Sequence, residues 1–291
     1  MQKSFVLPRA RALVQIQDGC DNYCAYCAIA AARGRSKSHA AEDIIAEVHR
    51  YEKQGFTEVM LTGINIGAYG ASSTKKPEEN KLAELLEQIL DETKIQRIRL
   101  GSLGPQYFSE KLFQILQNSR ICRHIHLSIQ SGSDSVLKRM GRRYSVEDVE
   151  RVIKRLQKNI PGVAVTTDII VGFPEEMEAE FKETLDFVKR NKLAKIHVFP
   201  YSVRPNTLAA KMKQVPENVK KERAKKLEKF GLELRRQFIQ SQLGKAASVL
   251  WRKELKPGLW EGLTDNYLKI VKKGDMKRRS LAREVIRQVL P

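Results

Sequence analysis

The first two hundred residues alternate short β-branched runs with segments of helical periodicity, and this alternation constrains the fold most. Helices repeat their apolar residues every three or four positions, whereas buried strands are short and rich in branched side chains. The pattern predicts six strands, at Leu13–Gln17, Glu58–Thr62, Arg97–Gly101, His124–Gln130, Val163–Val171 and Lys195–Phe199. It predicts six helices between them, at Ala40–Gln54, Lys81–Asp91, Ser109–Asn118, Ser133–Met140, Ser145–Lys158 and Ala179–Asn191. Such units predict a parallel sheet with right-handed crossovers, and six rather than eight favour a partial barrel.

Each predicted strand ends in a polar or glycine-rich phrase. In chain order these phrases are "DGCDNYCAYC", "TGINIGAYG", "GSLGP", "IQSGSD", "GFPEE" and "FPYSVRP". The carboxyl ends of parallel strands meet at one rim of a barrel, and enzymes of this architecture carry their reactive residues there. The sequence therefore predicts a site at that rim, although glycine and serine also serve simply to make turns.

Three of the four cysteines, Cys20, Cys24 and Cys27, lie within eight positions as C-x3-C-x2-C. Cysteine thiolates are the usual ligands of iron–sulfur clusters, so three of them predict a cubane cluster with one iron open to a small molecule. A structural zinc site is the alternative, but it needs four ligands. The fourth would be Cys122, at the start of the fourth strand, or His39, beyond an arginine run. The spacing alone leaves both kinds of site open.

Positive charge is concentrated toward the carboxyl terminus. From Arg204 onward, 23 lysines and arginines face 9 acidic residues, so this part carries +14 of the formal net charge of +19. An excess of that size predicts a polyanionic partner, most often a nucleic acid. The alternative is a solvated helix face, because basic residues alternate with glutamates over residues 217–236.

Hydropathy and cysteine usage indicate the compartment. No apolar run reaches transmembrane length, and the amino-terminal residues lack the unbroken apolar stretch of a secretory signal. Three clustered cysteines are typical of a metal or redox site in a reducing compartment rather than of a disulfide framework. The sequence therefore predicts a cytoplasmic protein without a membrane partner.

The carboxyl-terminal part predicts a long helix followed by a small β-domain. Apolar residues recur at helical spacing across Pro216–Leu243, opposite a basic face. After Gly244, short β-branched runs are separated by "KPG" and "KKGD". We therefore predict a barrel domain over residues 1–215, a connecting helix over 216–243 and a β-domain over 244–291. The β-domain has aromatic residues that suit either base stacking or a core, with at least one tryptophan expected in the core: Trp251, Trp260 and Tyr267.

Several phrases taken together resemble a known family. In order they are "QDGCDNYCAYCAIAAARGRSKS", "LTGINIGAYG", "HIHLSIQSGSDSVLKRMGRRYS", "TTDIIVGFPEE" and "HVFPYSVRPNT". They resemble the methylthiotransferases of the radical S-adenosylmethionine superfamily, and "LTGINIGAYG" looks most like the branch acting on N6-threonylcarbamoyladenosine beside the tRNA anticodon. "GLTDNYLKI" resembles a phrase of the TRAM domain, a small RNA-binding β-barrel. The resemblance implies an α/β fold, with a partial parallel (βα)6 barrel followed by a TRAM-like β-barrel.

The resemblance also implies a site. Cys20, Cys24 and Cys27 would bind one [4Fe-4S] cluster, whose open iron binds S-adenosyl-L-methionine for reductive cleavage to a carbon radical. The implied cofactor contacts are Tyr26 at the adenine, Gly63 and Asn65 at the amino end, Ser102, Gln130 and Ser131 at the ribose or carboxylate, and Asp168. The implied RNA contacts are Arg33, Arg35, Arg142, Arg143, Lys253 and Tyr267. The alternatives to these functional assignments are structural roles: a turn for Gly63, a loop cap for Asp168 and solvation for the arginines.

By the same resemblance, the chain would be a transferase that adds a methylthio group to C2 of N6-threonylcarbamoyladenosine in tRNA. Its expected partners are the anticodon stem-loop and an electron donor such as flavodoxin or ferredoxin, with neither membrane nor DNA. The alternatives are an RNA-binding relative without complete catalysis, or a methylthiotransferase for isopentenyladenosine tRNA or a ribosomal protein. Full-length members carry three more cysteines for a second [4Fe-4S] cluster ahead of the barrel, whereas here nineteen residues precede Cys20 and those ligands are absent. A truncation, a split gene and a real loss all fit that observation.

Overall fold

The computed structural model describes residues 10–72 and 77–290. Its strands are β1 Ala12–Asp18, β2 Lys37–Ser38, β3 Glu58–Gly63, β4 Arg97–Leu100, β5 Ser102–Leu103, β6 His124–Gln130, β7 Ala164–Val171, β8 Lys195–Pro200, β9 Ala246–Lys256, β10 Leu259–Thr264, β11 Lys269–Lys273 and β12 Leu281–Val285. Its α-helices are α1 Ile29–Arg33, α2 Ala41–Lys53, α3 Leu82–Glu92, α4 Glu110–Ile115, α5 Asp134–Arg139, α6 Val146–Asn159, α7 Glu178–Arg190 and α8 Glu217–Gln242. The six predicted strands and six predicted helices of the barrel are all present, with ends that differ by at most three residues.

The strands of the first part form two sets of four that are parallel except for the short β2, which pairs antiparallel with β1. β1 pairs with β3 and β3 with β4, all in parallel. β5 continues the path of β4 past Gly101 and starts the second parallel set, in which β6, β7 and β8 follow in order. Among the described residues no ladder joins β8 back to β1. The predicted α/β fold with a partial parallel barrel is therefore confirmed.

The two faces of the sheet differ in chemistry. On β6, the outward residues Ile125, Leu127 and Ile129 are buried in the main apolar core against the helices. The alternating residues face the inside of the barrel, here called the lumen, and all of them are polar: His124, His126, Ser128 and Gln130. A concave surface with convergent polar groups is suited to binding a ligand.

Helix α8 packs on the barrel and then reaches the carboxyl-terminal sheet. Leu227 and Leu234 are buried in the barrel core. Gly231 lets the helix approach β8 closely, because a Cβ there would lie 2.6 Å from Ile196 Cγ1. A helix therefore spans most of residues 216–243, whereas the predicted division into domains stays a prediction. Among the described helices, including the 26-residue α8, none has the length and apolar character needed to cross a membrane.

The last four strands form an antiparallel sheet in the order β11-β10-β9-β12. Trp251 is 1% exposed at the centre of its core, which confirms the expectation of a core tryptophan. Phe238 and Ile239 of α8 pack against the same core. The chain end returns beside β11, where Leu290 N donates to Lys269 O at 2.8 Å. That return is consistent with a small β-barrel, whereas a TRAM-like identity stays a prediction.

Three buried charges fasten this sheet to the amino end of the barrel strands. Arg97 Nη2 and Arg99 Nε lie 2.7 and 2.9 Å from the two carboxylate oxygens of Glu58. Arg97 also donates to the Leu263 carbonyl at 3.3 Å, and Arg99 donates to the Thr264 carbonyl at 3.2 Å. Glu58, Arg97 and Arg99 are called the floor network below, because they lie at the end of the lumen opposite the cysteines.

Glu180 joins α5 to the first turn of α7. Its carboxylate accepts two hydrogen bonds from Arg139, at 2.9 and 2.6 Å, one from Ser135 and one from the Met177 N–H at 2.8 Å. Burial alone would raise the pKa of Glu180, but these donors outweigh it and lower the pKa from 4.5 to about 2. A carboxyl whose pKa is lower in the folded state stabilises the fold above its unfolded pKa, and this stability is lost as the pH falls toward 2.

We therefore expect Glu180→Gln to lower the free energy of unfolding at pH 7 by about 2 kcal/mol, allowing for solvent screening. The variant should also lose the part of the pH dependence that lies between about 4.5 and 2. Urea unfolding at a series of pH values measures both effects. Glu183→Gln, an exposed position on the same helix, should change neither. Equal pH slopes for wild type and Glu180→Gln would contradict the assignment.

Candidate active site

The three clustered cysteines lie on the loop after β1, at the carboxyl end of the strands. The chain leaves β1 through Gly19, which has φ +68° and where a Cβ would lie 2.0 Å from Arg35 O. Glycine is required there, because any other residue would meet both strain and a clash. Cys20 N donates to Gly34 O at 3.1 Å, and the chain then returns along β1 as β2. Both ends of the cysteine loop are therefore fixed.

The cysteines line an open cavity of about 170 Å³, called the cysteine cavity below. The cysteine loop contributes Cys20, Asn22, Cys24, Tyr26, Cys27 and Ile29. The ends of the neighbouring strands and the loops after them contribute Ile64, Asn65, Ser102, Gly104, Gln106, Tyr107, Ser128, Gln130 and Arg142. The structure thus brings the three cysteines together with five other predicted site residues, namely Tyr26, Asn65, Ser102, Gln130 and Arg142.

The electrostatics of the thiols suit a bound cation. Burial raises the pKa of Cys20, and the neighbouring Cys24 and Cys27 raise it further. A metal centre would offset that repulsion, since its positive charge stabilises the thiolates that bind it. Within residues 10–72 and 77–290, no three cysteine, histidine or acidic side chains are placed to hold a single metal ion. A zinc ion needs its ligands about 2.3 Å from one centre, whereas a cluster spreads three cysteines over three irons.

Arg142 connects the cavity wall to the cysteine loop. Its Nη1 donates to Cys24 Sγ at 3.3 Å and its Nε donates to the Tyr144 hydroxyl at 2.6 Å. Its Nη2 donates to the carbonyl of Ser128. All three groups of the guanidinium are used inside the protein, which corrects the prediction that Arg142 contacts RNA. The guanidinium thus places a fixed positive charge beside Cys24.

Two residues that sequence reasoning missed support the cavity wall. The Asn65 side-chain amide donates to the Tyr107 hydroxyl at 2.8 Å, and the Asn65 N–H donates to the Gln17 side-chain carbonyl at 2.7 Å. Gln17 is fully buried within β1, and Tyr107 is 1% exposed. Position was their only signal, because Gln17 directly precedes the cysteine phrase and Tyr107 lies two positions after "GSLGP". On the cysteine loop, the Tyr26 ring meets Phe173 edge-on with 6.4 Å between centroids.

Comparison with known families shows which family the chain belongs to. Residues 14–188 match the family described as the Radical SAM superfamily, over a stretch that includes the cysteine loop and continues into α7. The chain belongs to the radical SAM superfamily. The three cysteines of its loop therefore stand in a family whose name denotes S-adenosylmethionine chemistry.

Curated relatives of this radical SAM chain are named as tRNA-modifying enzymes. Threonylcarbamoyladenosine tRNA methylthiotransferase MtaB of Bacillus subtilis is 38% identical over 273 residues, which covers 91% of this chain and 60% of that protein. The protein of the same name in Thermotoga maritima is 38% identical over 264 residues, with 90% and 60% covered. The tRNA-2-methylthio-N(6)-dimethylallyladenosine synthase of Caldicellulosiruptor saccharolyticus is 40% identical over 251 residues, with 84% and 53% covered. The chain thus spans less than two thirds of the length of these relatives.

Solved radical SAM structures share the fold at low sequence identity. Coproporphyrinogen III oxidase HemN of Escherichia coli aligns with a TM-score of 0.57 at 16% identity, over 78% of this chain and 53% of that one. The methyltransferase TsrM of Kitasatospora setae, solved with cobalamin and a [4Fe-4S] cluster, aligns with a TM-score of 0.56 at 16% identity, over 68% and 38%. These alignments support the radical SAM barrel fold and no more than the fold.

Three predicted cofactor contacts lie outside the lining of the cysteine cavity. Gly63 packs against β1, where a Cβ would lie 2.7 Å from the Gln17 carbonyl oxygen. Ser131 is fully buried and shares a hydrogen bond of 3.3 Å with Thr184 Oγ1. These contacts give Gly63 and Ser131 packing roles, and their assignment to the cofactor stays a prediction. The third residue, Asp168, lies in the lumen.

Three of the predicted RNA contacts are exposed after the carboxyl ends of the strands. Arg33 lies 3.7 Å from Asp18, and Arg35 lies 3.9 Å from Asp21. Ion pairs of that length on exposed side chains are weak, so both guanidinium groups remain accessible to a phosphate. Arg143 is exposed beside Arg142 and lines a separate surface cavity.

The two predicted RNA contacts of the carboxyl-terminal part lie in different surroundings. Lys253 is exposed, 3.9 Å from Glu261. The Tyr267 ring instead stacks on His124, with centroids 4.3 Å apart and planes at 13°, and the Arg99 guanidinium lies 5.0 Å from its centroid. Tyr267 therefore covers the lower end of the lumen but is still 37% exposed, and its stacking on RNA stays a prediction. The phrase "GLTDNYLKI" forms the junction between the sheet and the barrel.

Proposed function

We propose that the chain is the catalytic and RNA-binding portion of a tRNA methylthiotransferase. It adds a methylthio group to C2 of N6-threonylcarbamoyladenosine beside the anticodon, in the cytoplasm. The observation that carries the proposal is the cysteine cavity of a radical SAM barrel, in a chain 38% identical to relatives named for this activity. Because the chain spans 60% of those relatives, the activity of the whole proteins is transferred here as a proposal.

Different residues of the cysteine cavity would bind the cluster and S-adenosyl-L-methionine. Cys20, Cys24 and Cys27 would hold a [4Fe-4S] cluster, which leaves Tyr26 and the opposite wall of Asn65, Ser102 and Gln130 for S-adenosyl-L-methionine. When bound, this pair supplies a one-electron cleavage to a carbon radical, which acid–base side chains cannot supply. The buried hydrogen bonds of Gln17 and Tyr107 hold Asn65 in place, so that wall is formed before the cofactor binds.

The charge distribution supports tRNA as the substrate. The exposed Arg33, Arg35 and Arg143 follow the same strand ends as the cysteine cavity, and arginine forks match phosphate geometry. The carboxyl-terminal excess of +14 extends the basic surface beyond the barrel. The cluster would take its electron from a flavodoxin or ferredoxin.

Anaerobic reconstitution tests the cofactor chemistry. We expect brown protein with about four irons per chain. With dithionite and S-adenosyl-L-methionine it should release 5′-deoxyadenosine. A fully loaded cluster that never cleaves the cofactor would overturn the enzymatic proposal and leave an RNA-binding relative. One zinc per chain without iron uptake would overturn the cluster itself.

Mass spectrometry of tRNA nucleosides tests the substrate. A strain that lacks the gene should lose the methylthio form of N6-threonylcarbamoyladenosine, and a plasmid copy should restore it whereas its Cys20→Ala version should not. Loss of the methylthio form of isopentenyladenosine instead would support the second candidate, which the 40% identity to the Caldicellulosiruptor synthase favours. Loss of a mark on a ribosomal protein alone would remove tRNA from the proposal.

A further inference from the structure

A line of polar side chains crosses the lumen between the floor network and the cysteine cavity. His124 Nε2 lies 3.1 Å from Thr166 Oγ1, and His126 Nδ1 lies 2.9 Å from the same oxygen. His126 Nε2 lies 3.1 Å from Asp168 Oδ2. These four residues are called the lumen relay below. They come from the adjacent strands β6 and β7, where His126 stands opposite Thr166 in the register.

When the His126 imidazole is neutral, the Asp168 carboxylate sets the direction of every hydrogen bond in the lumen relay. An imidazole nitrogen that faces a carboxylate carries the proton, so His126 Nε2 donates to Asp168. His126 Nδ1 then accepts from the Thr166 hydroxyl, whose oxygen accepts from His124 Nε2. Asp168 is therefore held in one orientation through Oδ2. Its Oδ1 accepts no hydrogen bond from any part of the chain that the structure describes.

Asp168 lies one lumen-facing position below the cysteine cavity. On β6, His126 precedes the cavity residue Ser128 by two positions, which in a strand is about 6.6 Å. On β7, Asp168 precedes Ile170 by the same interval, and Ile170 packs on the cluster that includes Tyr26 of the cysteine loop. A flat ring whose edge meets Asp168 would thus present its other edge to the cysteine cavity.

The Asp168 end of the lumen relay is accessible, whereas His124 and Thr166 are buried. The Asp168 side chain is 31% exposed and that of His126 is 15% exposed, although both belong to interior strands of the sheet. His197 of β8 stands opposite Asp168 in the β7–β8 register, and its ring lies 5.9 Å from that of His126. Burial and the nearby Lys195 lower the pKa of His197, so its ring is neutral at pH 7. A neutral imidazole is a common stacking partner for an extruded base.

We propose that the lumen is the pocket for a nucleobase with an exocyclic N–H, that Asp168 accepts from that N–H, and that His126 positions Asp168. The inference rests on the proposed function, because it assumes an RNA substrate. A carboxylate accepts from exocyclic amino groups and repels phosphate, so the base rather than the backbone enters the lumen. Adenine with a single substituent on N6 keeps one N–H, whereas adenine with two has none.

Binding of three RNA hairpins to the cluster-loaded protein tests this assignment. The hairpins are anticodon stem-loops that differ only beside the anticodon, where they carry N6-threonylcarbamoyladenosine, N6,N6-dimethyladenosine or an abasic site. Fluorescence anisotropy should show that wild type binds the first about ten- to a hundredfold more tightly than the second. Asp168→Ala should bring this ratio close to one and leave the affinity for the abasic hairpin unchanged.

Two further variants separate recognition from folding. In Asp168→Asn, the amide carbonyl would be taken by His126 Nε2–H and the amide N–H would face the lumen, so the ratio should fall without loss of shape. Asp186→Ala, a half-exposed aspartate on α7 that pairs with Lys189, should keep the wild-type ratio. A wild-type ratio near one, or an Asp168→Asn ratio equal to that of wild type, would overturn the inference and leave RNA binding intact. Failure of all three hairpins to bind wild type would overturn the RNA substrate as well.

Discussion

Alanine at Cys20, Cys24 or Cys27 is expected to abolish cluster binding, with iron falling from about four per chain to near zero after anaerobic reconstitution. Two thiolates would have to hold a centre that we propose is held by three, and the open cavity would admit water to the irons. Release of 5′-deoxyadenosine should fall below detection, because no other described group can supply the electron. Iron analysis, the visible absorption of the cluster and a nucleoside assay measure these three results.

Cys122→Ala is the matched control for these variants. Cys122 is 3% exposed beside the floor network, and burial raises the pKa of its thiol. Since it lies at the opposite end of the lumen, its loss should leave iron content and cofactor cleavage unchanged. Iron loss in Cys122→Ala equal to that in Cys24→Ala would place the fourth cysteine in the metal site and revive the zinc alternative. Full iron content in any of the three loop variants would contradict the ligand assignment.

The order of strands and helices follows from local pattern, which is why sequence reasoning located it. Strand β6 was predicted at His124–Gln130 and has those ends, because its outward residues alternate with polar ones. The three cysteines were found in the same way, since their spacing lies within one loop. Local sequence pattern therefore predicts the strands, the helices and the cysteine loop, because each of them is determined by a short segment of the chain.

Contacts between distant segments could not be predicted in this way. Arg142 and Arg143 are adjacent and chemically identical, yet Arg142 turns inward to Cys24, 118 positions away, while Arg143 stays exposed. Tyr267 belongs to a phrase associated with RNA binding, yet its ring is used to cover His124. Which side chain is used internally depends on how the cysteine loop packs beside β6 and on how the carboxyl-terminal sheet docks, and no periodicity in the sequence encodes either contact.

Glu58→Gln is expected to be the most destabilising change of a single charge in this fold. Glu58 is fully buried between Arg97 and Arg99, and these two cations outweigh the effect of burial and keep the pKa of its carboxyl below the usual range. The glutamine variant leaves both guanidinium groups buried without a counter-charge. Removal of one partner from a buried ion pair costs about 3–5 kcal/mol. The midpoint of thermal unfolding should therefore fall by roughly 10 °C.

The floor network also predicts which part of the Glu58→Gln protein should unfold first. Arg97 and Arg99 hold the carbonyls of Leu263 and Thr264, so loss of Glu58 weakens the junction between the barrel and the carboxyl-terminal sheet. Hydrogen exchange should accelerate in β10 and in the loop after it before it does so in β6. Glu110→Gln, which removes an exposed partner of Arg155, should leave both the midpoint and the exchange pattern unchanged. A Glu58→Gln midpoint within 2 °C of wild type, roughly the effect of 1 kcal/mol or less, would show that the two arginines are sufficiently neutralised by the backbone carbonyls alone.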